Sequence, residues 1–181
     1  MPNWIFNIMW VSGPPEDVDC FVAVASTPTD LTRAWSTPRM ERHYLDGRRK
    51  VDARDLKSEI LSFEHFLPTQ RKKHRSLMAA RRDTSWLPWR LEHWGTKWDA
   101  NWPWFKRVYR TRARYEFHTA WDAPIYWVRT VSLQYPTLLF RMRIYAQYAQ
   151  AHIAFRRGVF YRVIDGRLRR GKLQFYPRCF I

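Results

Sequence analysis

Asp99, Glu116, His118 and Asp122 are the residues of this chain best suited by type to catalysis. Carboxylates with an imidazole can hold a hydrolytic metal, and all four lie near motifs that the fold should bring together. Their spacing matches no recognised metal or nuclease pattern, and each has a plainer role. Asp122 can cap a helix, and Asp99 can accept an indole or backbone N–H. Cys20 reads as lying on the apolar side of a helix and His118 as a lone strand histidine, so a Cys-His nucleophile is weaker still. Cys20 and Cys179 are the only cysteines, too few and too far apart for a zinc motif. No glycine-rich phosphate loop occurs. These readings leave non-covalent chemistry, with no enzymatic activity, cofactor or metal expected.

Aromatic rings and cations dominate instead. Trp86 to Trp104 holds six of the eleven tryptophans, the densest concentration of buriable area in the chain and a natural packing hub. Lys97, with tryptophans near it, is placed for a cation–π contact. The net charge of +16 is uneven: −1 over residues 1–60, +8 over 61–120 and +9 over 121–181. A field of one sign over two thirds of a chain favours a polyanion, most often nucleic acid. No run of eighteen apolar residues exists, and the start lacks a basic segment followed by an apolar one, so neither a spanning helix nor a secretory signal is expected. Reduced thiols and a cytoplasmic location fit this composition.

The elements that must position these groups follow from periodicity. Residues 3–11 alternate as a strand, with Ile5, Met9 and Val11 on one side and Trp4, Phe6, Ile8 and Trp10 on the other. Glu16 and Asp17 open a helix that ends near Ser26. Residues 27–60 read as a connection or insertion, and Leu61 to Leu67 as a short strand. Thr69 can cap a helix to about Arg82 with a basic stripe through Arg71 and Arg75. Pro88 to Trp94 predicts a short helix stopped by Gly95. Strands follow at Phe105–Thr111 and Tyr115–Ala120, then a helix opened by Asp122 and Pro124 with Ile125, Val128, Val131 and Tyr135 on its buried face. Leu138, Phe140, Met142 and Ile144 alternate with Leu139, Arg141, Arg143 and Tyr145, a strand with one core side and one cationic side. A hairpin is expected around Arg157-Gly158. The segment 165–181, with Arg169 and Arg170, is either an edge strand or a basic tail.

This order is βαββαβ, so the expected class is α+β, a single ferredoxin-like domain over 1–181. Its antiparallel sheet would have helices on one face, a helical Trp-rich insertion at 69–104 and a C-terminal β-hairpin extension. The strings M-P-N-W at Met1, V-S-G-P-P-E-D-V at Val11, L-S-F-E at Leu61, W-G-T-K-W-D at Trp94 and T-A-W-D-A-P at Thr119 resemble the YubB-type ferredoxin-like domain family of phage and plasmid proteins. The resemblance implies that fold and a mobile-element origin, but no catalytic residues. It marks Trp94, Gly95, Thr96, Lys97, Trp98, Asp99, Trp121, Asp122 and Pro124 as a structural motif, with Trp94, Trp98 and Trp121 expected to be buried. Family members commonly carry small or polar residues at Ile5, Phe6, Ile8 and Trp10 and are less basic, so a surface made of these residues belongs to this chain.

The expected function is a non-enzymatic accessory protein binding single-stranded DNA or RNA. Trp4, Phe6, Trp10, Arg141, Arg143 and Tyr145 would lie on the sheet face free of helices, helped by Arg71, Arg75, Arg169 and Arg170. The alternative is a protein-binding antagonist of a host system, steered by the same charge. The oligomeric state stays open.

Overall fold

The computed structural model describes residues 3–26, 60–70 and 84–173 of the chain. Alternation sets the first strand, β1 (Trp4–Ser12), which buries Ile5, Asn7, Met9 and Val11 on one face and half-buries Trp4, Phe6 and Trp10 on the other. Six more strands follow: β2 (Asn101–Tyr109), β3 (Arg112–Ala120), β4 (Leu139–Ala146), β5 (Ala149–Arg156), β6 (Val159–Ile164) and β7 (Arg167–Arg170). They form one seven-stranded sheet in the order β2-β3-β1-β4-β5-β6-β7, with every neighbouring pair antiparallel. The fold is a mixed α+β architecture dominated by this sheet.

Four helices occur among the described residues: α1 (Pro15–Ala25), α2 (Phe63–Phe66), α3 (Trp86–His93) and α4 (Ile125–Gln134). Val18, Phe21, Phe63, Phe66, Trp94, Trp127, Val128 and Val131 from this helical layer meet Met9, Val11, Tyr115, Phe117, Phe140 and Met142 of the sheet in one core. Phe21 lies edge-on to Tyr115 and Phe140, and Phe63 edge-on to Phe117, an arrangement that aromatic quadrupoles favour. None of the described helices is long and apolar enough to cross a membrane.

The turns explain why the sheet continues past β4. Arg157 and Gly158 both have positive φ, at 52° and 71°, and so do Asp165 and Gly166, at 49° and 75°. Two consecutive left-handed residues match the twist of flanking strands, which is why such pairs close tight hairpins. The expected hairpin at Arg157-Gly158 is therefore present. Asp165-Gly166 makes a second one, so Arg167–Arg170 is an edge strand rather than a free basic tail.

Three expectations need correction. Leu61–Leu67 is not a strand: its middle is the helical turn α2, because Asp99 takes the N–H groups of Phe63 and Glu64 that a helix start leaves unpaired. The helical insertion ends early, since Asn101 to Trp104 already belong to β2, an edge strand that tolerates Pro103. Cys20 is exposed, because the buried stripe of α1 runs through Val18, Phe21 and Ala25. All but the first two residues of the helix predicted from Thr69 to Arg82, Arg71 and Arg75 included, lie outside the described residues, as do most of the connection 27–60 and the end of the tail.

Candidate functional site

The structural motif is built around Trp94, fully buried, whose indole N–H donates to the Leu67 carbonyl at 3.0 Å. The Arg90 guanidinium is also buried, lying 4.4 Å from the Trp94 ring centroid. Its charge is met by Glu64 Oε1 at 2.5 Å, and its Nε donates to Thr69 Oγ1 at 2.9 Å. Burying a guanidinium is costly unless it is paired and hydrogen-bonded, and Arg90 has both. Gly95 turns the chain with φ +86°, where a Cβ would come within 3.1 Å of the Ala123 carbonyl. Thr96 Oγ1 then donates to the Ala120 carbonyl at 2.8 Å.

Asp99 lies between half-buried Trp98 and buried Ala100. Ser62 Oγ donates to Asp99 Oδ2 at 2.7 Å, and the N–H groups of Phe63 and Ala100 donate to Oδ1 at 2.6 and 2.7 Å. Burial pushes the pKa of Asp99 up, while these donors pull it down. Asp122 Oδ1 accepts the N–H of Ala123 at 2.7 Å, and Pro124, not Asp122, occupies the cap position of α4. Glu116 is paired with Arg114. Among the described residues, no three His, Cys, Asp or Glu side chains are grouped to hold a metal.

The opposite sheet face carries the other candidates. Register places Trp4, Phe6, Ile8 and Trp10 of β1 beside Ala120, His118, Glu116 and Arg114 of β3. On the far side of β1, Tyr145, Arg143 and Arg141 of β4 stand beside Phe6, Ile8 and Trp10. The described helices pack on the other side, so among the described residues this face is covered by side chains of the sheet and by Trp98. Trp4 contacts Trp98 and Trp102, with ring centroids 5.6 and 4.8 Å apart. Trp102 meets His118 at 5.4 Å, His118 meets Phe6 at 5.1 Å, and Phe6 meets Tyr145 at 5.8 Å. The result is a continuous aromatic chain from Trp98 to Tyr145. Arg114 and Arg143 flank the Trp10 ring at 5.7 and 5.5 Å.

At the Trp98 end, the Lys97 ammonium lies 5.1 Å from the Trp98 ring and 4.4 Å from Trp121. Trp121 is exposed, contrary to expectation, and Trp98 is half-buried. Trp121 and Trp102 both adopt left-handed backbone, φ 77° and 48°, a conformation that costs a bulky residue free energy. Trp102 sits where the β2–β3 register shifts, so a bulge turns its ring toward the sheet face.

The fold as a whole is shared with a solved structure. The chain is similar to the crystal structure of the protein api92 from Yersinia pseudotuberculosis, a DUF1281-family protein. The TM-score is 0.57 at 9% identity, over 87% of this chain and 95% of that one, which shows shared architecture alone. No family model matches the sequence, and no curated protein matches it.

Of the predicted interface residues, Trp4, Phe6, Trp10, Arg141, Arg143, Tyr145 and Arg170 fall on this face. Arg169 does not: it pairs with Arg162, one residue out of phase, and points to the other side of β7. Trp102, Lys106, Arg114 and Tyr161 were missed. Arg114 was readable by carrying the Glu116–His118 alternation two residues back, whereas Lys106 and Trp102 are hidden by the two register shifts in β2. Burial lowers the pKa of His118, and burial with the charges of Arg143 and Arg141 lowers that of His152, the β5 residue paired with Arg143.

Proposed function

We propose that this chain binds single-stranded nucleic acid without catalysis, as an accessory protein of a phage or plasmid in a bacterial cytoplasm. Its platform would be a ferredoxin-like βαββαβ unit extended by three strands. The element order and the strand order β2-β3-β1-β4 support that fold reading, since they put two helix-bearing crossovers on one side of four antiparallel strands. The sequence motifs resembling YubB-type domains support the mobile-element origin.

One observation carries the functional reading: an unbroken aromatic chain, Trp98-Trp4-Trp102-His118-Phe6-Tyr145, lies beside Arg114, Arg141 and Arg143 on a face where Glu116 is the only acid at the described strand positions. Unpaired bases stack on rings regardless of sequence, and cations take the phosphates. A duplex hides its base faces, so this surface favours single strands.

Fluorescence anisotropy with single-stranded DNA and RNA across a salt series tests the reading. Each neutralised phosphate contributes about −0.7 to the log–log slope, so five contacts give roughly −3.5. Arg141→Gln with Arg143→Gln should flatten the slope, while Trp4→Ala or Trp10→Ala should lower affinity by about 1 to 3 kcal/mol at every salt concentration. Tight, salt-independent binding to a host protein, with only weak nucleic-acid retention, would reject it.

A further inference from the structure

Cross-strand register lines up one more feature on this face. Lys106 is paired with Arg114, Arg114 with Trp10, and Trp10 with Arg141. Arg141 is paired with Ala154, Ala154 with Tyr161, and Tyr161 with Arg170. Residues directly opposite share a face, so these side chains form a single row perpendicular to all seven strands. Six interstrand steps of about 4.8 Å make it roughly 29 Å long. Cations occupy both ends and the middle, rings stand between them, and Ala154, between Arg141 and Tyr161, is fully buried. Tyr161 also walls a shallow depression with Arg156 and Arg157. No acid stands in the row itself, and Glu116, two residues along β3, is ion-paired with Arg114 from beside it.

We infer that a bound single strand runs across the β-strands along this row, so that β5, β6 and β7 form the second half of the binding platform rather than a structural extension. The inference rests on the functional reading above and adds to it a direction and a length. A strand lying along β1 instead would meet Trp10 and Phe6 but would never reach Tyr161 or Arg170. Charge complementarity fits the crosswise path, because the phosphates meet cations from one sheet edge to the other.

Lys106 and Arg170 are exposed and stand at opposite ends, so Lys106→Gln and Arg170→Gln should leave thermal melting unchanged while altering binding. Oligothymidylates of about four and about sixteen nucleotides, the span of site sizes known for single-strand binding folds, separate the paths. The crosswise path requires that the longer oligonucleotide lose affinity at least threefold with Arg170→Gln or Tyr161→Ala, and that each lost cation flatten its salt slope by about 0.7. The shorter one should change less than twofold with either Arg170→Gln or Tyr161→Ala. If the longer oligonucleotide responds to Arg141→Gln and Trp10→Ala but not to Arg170→Gln or Tyr161→Ala, the crosswise path is wrong and the functional reading stands. If the unaltered protein binds neither oligonucleotide at low salt, both fail.

Discussion

Asp99 Oδ1 accepts the backbone N–H of Phe63 at 2.6 Å across 36 residues of sequence. One carboxylate from the loop before β2 thus starts a helical turn that the chain had passed long before. The same side chain takes the Ser62 hydroxyl and the Ala100 N–H, so the segment 60–70 and the Trp94–Asp99 motif fold as one piece. Asp99→Ala would strand these donors in a part-buried site. A buried group without its partner costs about 1 to 3 kcal/mol, and the variant should lose about 3 kcal/mol, read as a lower urea midpoint with unchanged slope. A loss below about 1 kcal/mol would mean that water replaces the carboxylate.

The tryptophans of the motif should separate by burial. Trp94 is fully enclosed and hydrogen-bonded, so Trp94→Ala should cost about 3 to 5 kcal/mol, the range for emptying a large core site. Trp98 is half-buried, and Trp98→Ala should cost under about 2 kcal/mol by the same burial argument. Equal melting temperatures for the two variants would contradict this difference in packing.

Trp121 is exposed on left-handed backbone, where glycine carries no steric penalty. Trp121→Gly should be neutral or stabilising by about 1 kcal/mol, because relief of the Cβ clash offsets the lost contact with Lys97. The same variant should bind single strands less well. Strain retained at an exposed ring is a pattern associated with function. A variant that melts earlier and binds normally would show that the ring serves the fold.

The histidines give the site a pH response with opposite signs for folding and binding. His152 and His118 have pKa values below the ordinary 6.5, His152 through burial and the charges of Arg143 and Arg141, His118 through burial. As pH falls through 6.5, the unfolded chain takes up protons first, so the free protein loses stability until the folded-state values are reached. A polyanion on the face compensates the arginines and raises the pKa of His152, so binding takes up protons and should tighten over that window. Anisotropy at pH 7.5 and 5.5 should show this gain, and His152→Gln should shrink it. Affinity that falls with pH would place the phosphates away from Arg143.

Regular alternation was legible in the sequence. β4 carries Phe140, Met142 and Ile144 against Arg141, Arg143 and Tyr145, and the structure keeps both faces as read. α1 was legible too, although Cys20 was put on the wrong side: its position is a full 100° around the helix from Phe21, away from Val18 and Ala25. What could not be read were interactions between distant segments. L-S-F-E-H-F-L has the apolar content of a strand, and only Asp99 makes it a helical turn. The aromatic site was half-legible, since β1 supplied Trp4, Phe6 and Trp10, but Trp102 reaches it through a bulge that no periodicity announces.

The two outer strands also govern what this molecule does to copies of itself. A long sheet exposes a row of amide groups at each edge, an invitation to polymerise. β2 interrupts that row with Pro103, which has no N–H, and with the kink at Trp102. β7 is only four residues long, and three of them are arginine, so a second copy approaching edge-on would meet like charge at close range. A concentrated solution of this protein should therefore resist fibrillation, and neutralising Arg167, Arg169 and Arg170 together should be the change that lets sheets grow edge to edge.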